Sequence, residues 1–300
     1  PDDIRDAFAT EAMEQAVLAY PNLSIYATAE NAHMAKRMNH IFKQTVWALT
    51  TQVKKGNYVP DNFEISFELA DNNSMDLKGR IDRVDTCLDD KRLYVKVIDY
   101  KSGSRDFSLA ALYHGLQLQL VVYMNAAMEM EGRKHPDKEV VPAAMLYYRV
   151  QDPLVELEGG GVTDSVERIN KEILANLRMT GIVNAAEEVV SGLDRAFTGK
   201  SEVIPVERKK DGSYSARSGI LSAEDFRVIT EYAGRKVKEI GTDIMKGKIP
   251  LNPYTEGQHS SCTWCPYARV CGFDRKLPGF MMRELEKLDD DQALERMREE

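Results

Sequence analysis

Three features of the chain predict an α/β fold, with a central mixed sheet flanked by helices and a helical C-terminal region. Three consecutive stretches, Phe63 to Leu69, Asp76 to Thr86 and Arg92 to Lys101, carry the apolar patterning of strands. The strongest helical period, Phe107 to Met130, then separates them from a buried-strand pattern over Val140 to Val150. A helix between strands at that point reads as a crossover onto the same sheet, so antiparallel and parallel pairs are combined.

The remaining elements follow from the same periods. Ile4 to Tyr20 and Ala29 to Lys55 repeat apolar residues at helical spacing, the second through Met34, Met38, Ile41, Val46 and Leu49, and predict two antiparallel or stacked helices. Leu88-Asp89-Asp90 supplies a turn between the second and third strands, which makes the first three strands a meander. Beyond Gln151-Asp152-Pro153 the pattern turns helical again over Asp164 to Met179, Ala185 to Phe197 and Ser222 to Lys246. Ser222 precedes Ala223-Glu224-Asp225, so its hydroxyl can cap the helix start and the acids suit the first turn. Gly247 closes that helix, Pro250 to Pro253 leads into a cysteine segment, and the charged Met281 to Glu300 tail predicts a last helix. The expected divisions are N-terminal helices over 1–56, a core over 57–155, and a helical C-terminal region with the cysteine segment over 156–300.

Composition narrows the function classes. The 300 residues, 43% of them hydrophobic, suffice for one large core or two modest ones. The longest apolar candidate for a membrane span, Leu116 to Met124, is interrupted by Gln117 and Gln119, so no membrane association is expected. Pro1 in place of an initiating Met suggests a cut from a longer polypeptide, and targeting is not readable from such a start. A net charge of −8 argues against a broad, sequence-blind nucleic-acid surface, because phosphate affinity comes largely from Lys and Arg. Forty Lys and Arg residues still permit a local basic groove. The densest run, Arg208-Lys209-Lys210, precedes Asp211-Gly212-Ser213 and reads as an exposed loop that either tracks a nucleic-acid backbone or is simply solvated. No Gly-x-x-x-x-Gly-Lys-Ser/Thr occurs, so ATP hydrolysis is not carried by this segment.

The chemistry concentrates at two acidic strand ends. A strand alternates its side chains, so Asp99 and Lys101 emerge on one face while Tyr100 points away. Asp82 on the neighbouring strand can then share a cation with Asp99, beside the Lys101 ammonium. Carboxylates suit Mg²⁺, a hard ion that prefers oxygen and keeps several waters, and lysine adds a compact charge where a phosphate arrives. The competing reading is a structural Asp99 paired with Lys101 or Arg80, and residue types alone leave the two even. Gln119 and Tyr123, four apart, offer neutral hydrogen bonds on one helical face together with Gly115, whose small size permits close approach. Three of the four cysteines crowd into Cys262-x2-Cys265-x5-Cys271, which favours a reduced interior and a metal or cluster site. Cys87 reads as an ordinary packed cysteine, and His259 with the three thiols is a rival zinc set.

Taken together, Gly79-Arg80-Ile81-Asp82-Arg83-Val84-Asp85, Val97-Ile98-Asp99-Tyr100-Lys101-Ser102, Gly115-Leu116-Gln117-Leu118-Gln119 with Tyr123, and Cys262-Thr263-Trp264-Cys265-Pro266-Tyr267 with Val270-Cys271 resemble the RecB-like branch of the PD-(D/E)xK nucleases. Within it the likeness is to the C-terminal nuclease domain of the B subunit of bacterial AddAB (RexAB) helicase-nucleases, from about Asn31 to Phe273. The resemblance implies a restriction-endonuclease-like core in which Asp82 and Asp99 bind Mg²⁺, with the Tyr100 carbonyl as a further ligand. Lys101 would position the attacking water, and Gln119 with Tyr123 would hold the strand or the lysine. It further implies a bacterial cytoplasmic exonuclease working on a DNA single strand delivered by a helicase, in partnership with an A subunit, during double-strand-break resection. Cys262, Cys265 and Cys271 match the last three of the family's four ligands to a [4Fe-4S] cluster. The first of those ligands, and the family's upstream Gly-x-x-x-His helix, have no match here; His33 and His40 follow Ala29 and Lys36 at that spacing and read as solvent histidines. A stand-alone CRISPR-associated type of RecB-family exonuclease and a catalytically silent DNA-binding scaffold are the alternatives.

Overall fold

A computed structural model of the chain describes residues 2–19, 28–71, 75–103, 106–154, 166–195 and 197–300. Two helices open it, α1 (Asp2–Leu18) and α2 (Ala29–Lys55), the second capped by the Thr28 hydroxyl accepting from Asn31 N. The expected end of the first helix at Tyr20 lies outside the described residues, as does the start of the helix expected from Asp164. The predicted meander follows as β1 (Val59–Asp71), β2 (Met75–Leu88) and β3 (Arg92–Lys101), antiparallel in turn. Asp89 makes the β2–β3 turn by accepting from the Lys91 and Arg92 amides.

The single helix expected over Phe107 to Met130 is two helices, α3 (Leu109–Tyr113) and α4 (Gln119–Lys134). Gly115 separates them with a φ of 77°, and the Gly115 and Leu116 amides close the end of α3 by donating to the Leu112 and Ala111 carbonyls. Gly115 therefore does not share a helical face with Gln119 and Tyr123, and an added Cβ there would meet nothing within 4 Å. Its role is the turn, because the apolar period running through 107–130 conceals the break.

The crossover lands as expected. Strand β4 (Glu139–Arg149) pairs parallel to β3, with Asp99 beside Tyr147 and Lys101 beside Arg149. The region expected to be purely helical also extends the sheet. Between α5 (Val166–Asn176) and α6 (Glu187–Leu193) runs β5 (Thr180–Asn184), antiparallel to β4, and β6 (Ile220–Leu221) adds an edge beside it. Strands of five and two residues are too short to set a period-2 signal. The sheet order is β1-β2-β3-β4-β5-β6.

The chain closes with α7 (Ala223–Met245), whose Ser222 cap is as predicted, then β7 (Tyr254–Glu256), β8 (His259–Ser260), β9 (Arg283–Glu284) and α8 (Asp290–Glu299). The three short strands form a separate sheet around the cysteine segment, so only the last part of the Met281 to Glu300 tail is helical.

Helices cover both faces of the main sheet, which explains why β3 is buried continuously from Leu93 to Asp99. On one face α4 and α7 bring Leu120, Val121, Met124, Phe226 and Ile229 onto Val84, Val97 and Met145. On the other, α6 and the Val203–Val206 turn pack Val189, Val190 and Leu193 against Ile98, Leu146 and Tyr148. A buried aliphatic side chain of this size contributes roughly 1.5–3 kcal/mol, so the two cores fix the sheet between its helical layers. No helix among the described residues is long and apolar enough to cross a membrane.

Candidate active site

Register brings the acids together. Strands β2 and β3 pair from Leu88↔Leu93 to Arg83↔Ile98 and then part. Asp82 and Asp99 are the next residues on each strand, facing the side that carries Val84 and Val97. At the parting point a carboxylate replaces the backbone ladder: Asp82 Oδ2 accepts from Tyr100 N at 2.8 Å. On the other flank of β2, Glu64 lies opposite Asp82 in the β1 register and has a φ of 49°. Asp82 thus sits where β2 parts from β3 while its pairing with β1 continues on either side.

Asp99 is only 2% exposed. Its Oδ2 lies 2.7 Å from Lys101 Nζ, an ion pair without the angles of a hydrogen bond, so that atom remains a buried acceptor with no proper donor among the described residues. Burial pushes the Asp99 carboxyl above the usual carboxylate range, the Lys101 ammonium pulls it back, and the nearby Asp82 charge raises it again. A buried carboxylate that shares its space with a second acid and has one lysine as its cation has the character of a cation ligand.

Lys101 is the junction between the acids and the helical layer. Its Nζ donates to Gln119 Oε1 at 3.1 Å, and Gln119 Nε2 donates to Tyr123 OH at 2.8 Å. One turn of α4 sets that Gln119–Tyr123 pair. The Tyr123 ring rests edge-on against Phe67 at 5.8 Å, and Gly79 makes room, since a Cβ there would stand 2.6 Å from the Phe67 ring. Of the predicted residues, Asp82, Asp99, Lys101, Gln119 and Tyr123 therefore form one connected group. The Tyr100 side chain points away, edge-on to Tyr148 at 5.9 Å in the opposite core, leaving only its backbone on the side of the acids. Of the two partners that the structural reading offers Asp99, Lys101 is paired with it and Arg80 pairs instead with Glu64 at 2.8 Å.

Three contributions were not legible from residue types. The Lys101 ammonium stands 5.7 Å from the centre of the Tyr147 ring, and both line a 190 Å³ cavity with Gly103, Leu116, Gln117 and Gln119. Gln117, nearly buried, accepts from Ser108 N at 2.9 Å and donates to the Asp106 carbonyl at 3.0 Å, fixing the segment that leads into α3. Beneath the acids, on the reverse face, Arg83 donates to both Asp85 oxygens at 2.6 and 2.8 Å, and Lys96 Nζ lies 2.6 Å from Asp85 Oδ2. Burial opposes the charge of both cations; Asp85 more than offsets this for Arg83, whereas the Lys96 ammonium stays below its ordinary range. This buried triad clamps β2 to β3 just before they part, since Asp85 and Lys96 are directly paired.

The cysteine segment is separate. Cys262, Cys265 and Cys271 are free thiols of intermediate burial in a run of turns, with Phe273 N 3.5 Å from Cys271 Sγ. Among the described residues no three His, Cys, Asp or Glu side chains are gathered as a metal-binding group, so neither the three thiols nor the set with His259 is an assembled ligand shell. Cys87 packs at the margin of the core on the reverse face, as expected. His33 and His40 are exposed, His40 standing 3.8 Å from Asp152.

The family description PD-(D/E)XK nuclease superfamily matches residues 1–272. The chain is similar to proteins named as the B subunit of an ATP-dependent helicase/deoxyribonuclease. It is 38% identical to that of Lachnoclostridium phytofermentans, 34% to that of Alkaliphilus metalliredigens and 32% to that of Alkaliphilus oremlandii, in each case over 98% of this chain. It spans 26% of the length of each of those relatives.

Proposed function

We propose, from the premise that this chain belongs to the PD-(D/E)XK nuclease superfamily, that it hydrolyses DNA phosphodiester bonds as an exonuclease at the Asp82–Asp99–Lys101 centre with Mg²⁺. The observation that carries the reading is the convergence of Asp82 and the buried Asp99 carboxylate beside the Lys101 ammonium. Oxygen donors of this kind fit a hard divalent ion. Asp82, Asp99 and the Tyr100 carbonyl would hold it, and when bound it supplies a polarised phosphate and a more acidic water.

The chain's own groups then have defined tasks. Lys101 orients the attacking water and offsets charge building on the phosphate, a role for a compact ammonium held at a fixed point. Gln119 fixes that point by accepting from Lys101, and Tyr123 fixes Gln119 in turn. Tyr147 forms one wall of the cavity and sets its ring beside the lysine.

For the longer proteins of which this stretch resembles a quarter, the proposal is the B subunit of a bacterial cytoplasmic helicase-nuclease. An A subunit would deliver single-stranded DNA while double-strand breaks are resected for recombination; the relatives' names support the coarser part of this, a B subunit joined to a helicase and deoxyribonuclease. A [4Fe-4S] cluster would draw on Cys262, Cys265 and Cys271 with a fourth ligand from outside this chain. The crowding of three thiols into ten positions supports it. Iron is expected in metal analysis of the longer protein; zinc without iron would refute the cluster.

Cleavage of labelled single-stranded DNA in Mg²⁺ tests the central reading. Asp99→Ala is expected to slow cutting at least about 100-fold with folding retained, the scale on which an electrostatic contributor to a phosphate transition state acts. Undiminished cutting would defeat the assignment, and a protein that binds DNA but fails to cut it even with the upstream histidine helix restored would favour the scaffold alternative.

A further inference from the structure

On the layer opposite Asp82 and Asp99, an open cleft of 540 Å³ gathers Lys54 and Lys55 from the end of α2, Lys171 from α5, and Arg195 and Lys200 from the segment after α6. Five cations around one cleft are unexpected in a chain of net charge −8. Two of them have internal duties: Arg195 donates to the carbonyls of Lys54 and Lys55, and Lys55 pairs with Glu202. The second acid in the wall, Asp194, is buried and accepts from Ser201 Oγ at 2.7 Å. Lys54, Lys171 and Lys200 keep no ion pair among the described residues, so the cleft presents three uncompensated ammoniums.

The adjoining surface continues the same character. Phe197 lines the cleft and stacks with the Arg208 guanidinium at 5.3 Å, and Arg208 N donates to the Gly199 carbonyl, which joins the basic run Arg208-Lys209-Lys210 to the cleft rim. Lys209 and Lys210 are exposed. Cations on separate elements along one open cleft suit an extended strand, whose successive phosphates meet long side chains.

We propose that this cleft binds the phosphate backbone of single-stranded nucleic acid, a second foothold on the layer of the sheet opposite the catalytic group. The inference rests on the nuclease reading only for the identity of the polyanion.

The test measures anisotropy of a labelled 20-nucleotide oligo-dT across a salt series, with chelator present so that nothing is cut. It compares the wild-type chain, the triple variant Lys54→Gln/Lys171→Gln/Lys200→Gln and the corresponding triple Lys→Arg variant. For the glutamine variant, the slope of log K against log salt is expected to shrink by about 2, near 0.7 per lost phosphate contact, and affinity near 0.1 M salt to fall roughly 100-fold. The arginine variant is expected to keep the wild-type slope, since it keeps the charge. Cleavage of a tetranucleotide in Mg²⁺, too short to reach both layers, should match the wild type in both variants. An unchanged slope in the glutamine variant, or displacement of oligo-dT by poly-glutamate as readily as by unlabelled oligo-dT, would overturn the proposal, the second result in favour of an acidic protein partner. A wild-type chain that cuts nothing yet shows the slope change would sink the nuclease reading and leave this cleft standing; normal cutting with no slope change does the reverse.

Discussion

Asp99 is held where its charge is unwelcome. Burial raises its proton affinity in the folded chain, and the Lys101 ammonium offsets this only in part. The unfolded chain ionises an ordinary carboxylate, so the folded state binds this proton more tightly, and the Asp99 contribution to stability falls as pH rises from the usual carboxylate range through the raised folded value. Asp99→Asn removes that term while keeping size and shape. Its thermal midpoint at neutral pH is expected to exceed that of the wild type, with the gap closing in acid; a lower midpoint at neutral pH would show that Asp99 is a structural ion pair. The prediction follows from the local geometry: a site whose acid is costly to fold is one that a bound cation relieves.

At the scale of elements, the β2–β3 pair does two jobs within a few residues. Up to Arg83↔Ile98 it is a regular ladder, and beyond it the strands open so that Asp82 and Asp99 face a shared space. The Arg83–Asp85–Lys96 triad lies just before that opening. Removing Asp85 leaves two buried cations unpaired, and Asp85→Ala is expected to cost about 3–5 kcal/mol in urea unfolding. A loss below about 1 kcal/mol would mean that water reaches the pair. Sequence patterning found the three strands, α2 and the crossover because each is long enough for its apolar period to show. It missed the break at Gly115, since α3 and α4 keep a common period across the turn, and it missed β5 and β6, which are too short to have one.

For the whole molecule, two cores lock a six-stranded sheet between helices, and the proposed catalytic group and the proposed nucleic-acid cleft stand on opposite layers of it. The group Asp82, Asp99, Lys101, Gln119 and Tyr123 was legible because four of its members sit in two short motifs and strand alternation gives their faces. Tyr147 and the buried triad were not, because each depends on which residue of one strand lies beside which residue of the next. Distribution of charge mattered more than its sum: the acidic total argued against a broad nucleic-acid surface, while the fold gathers lysines from distant segments into one cleft. The claim on which this division rests is that two carboxylates share one divalent ion. Titration with Mn²⁺, followed by loss of the free-ion paramagnetic resonance signal, measures that directly. The wild-type chain is expected to take up about one ion, with Asp82→Asn and Asp99→Asn each weakening uptake by at least about 10-fold; equal uptake by all three proteins would contradict it.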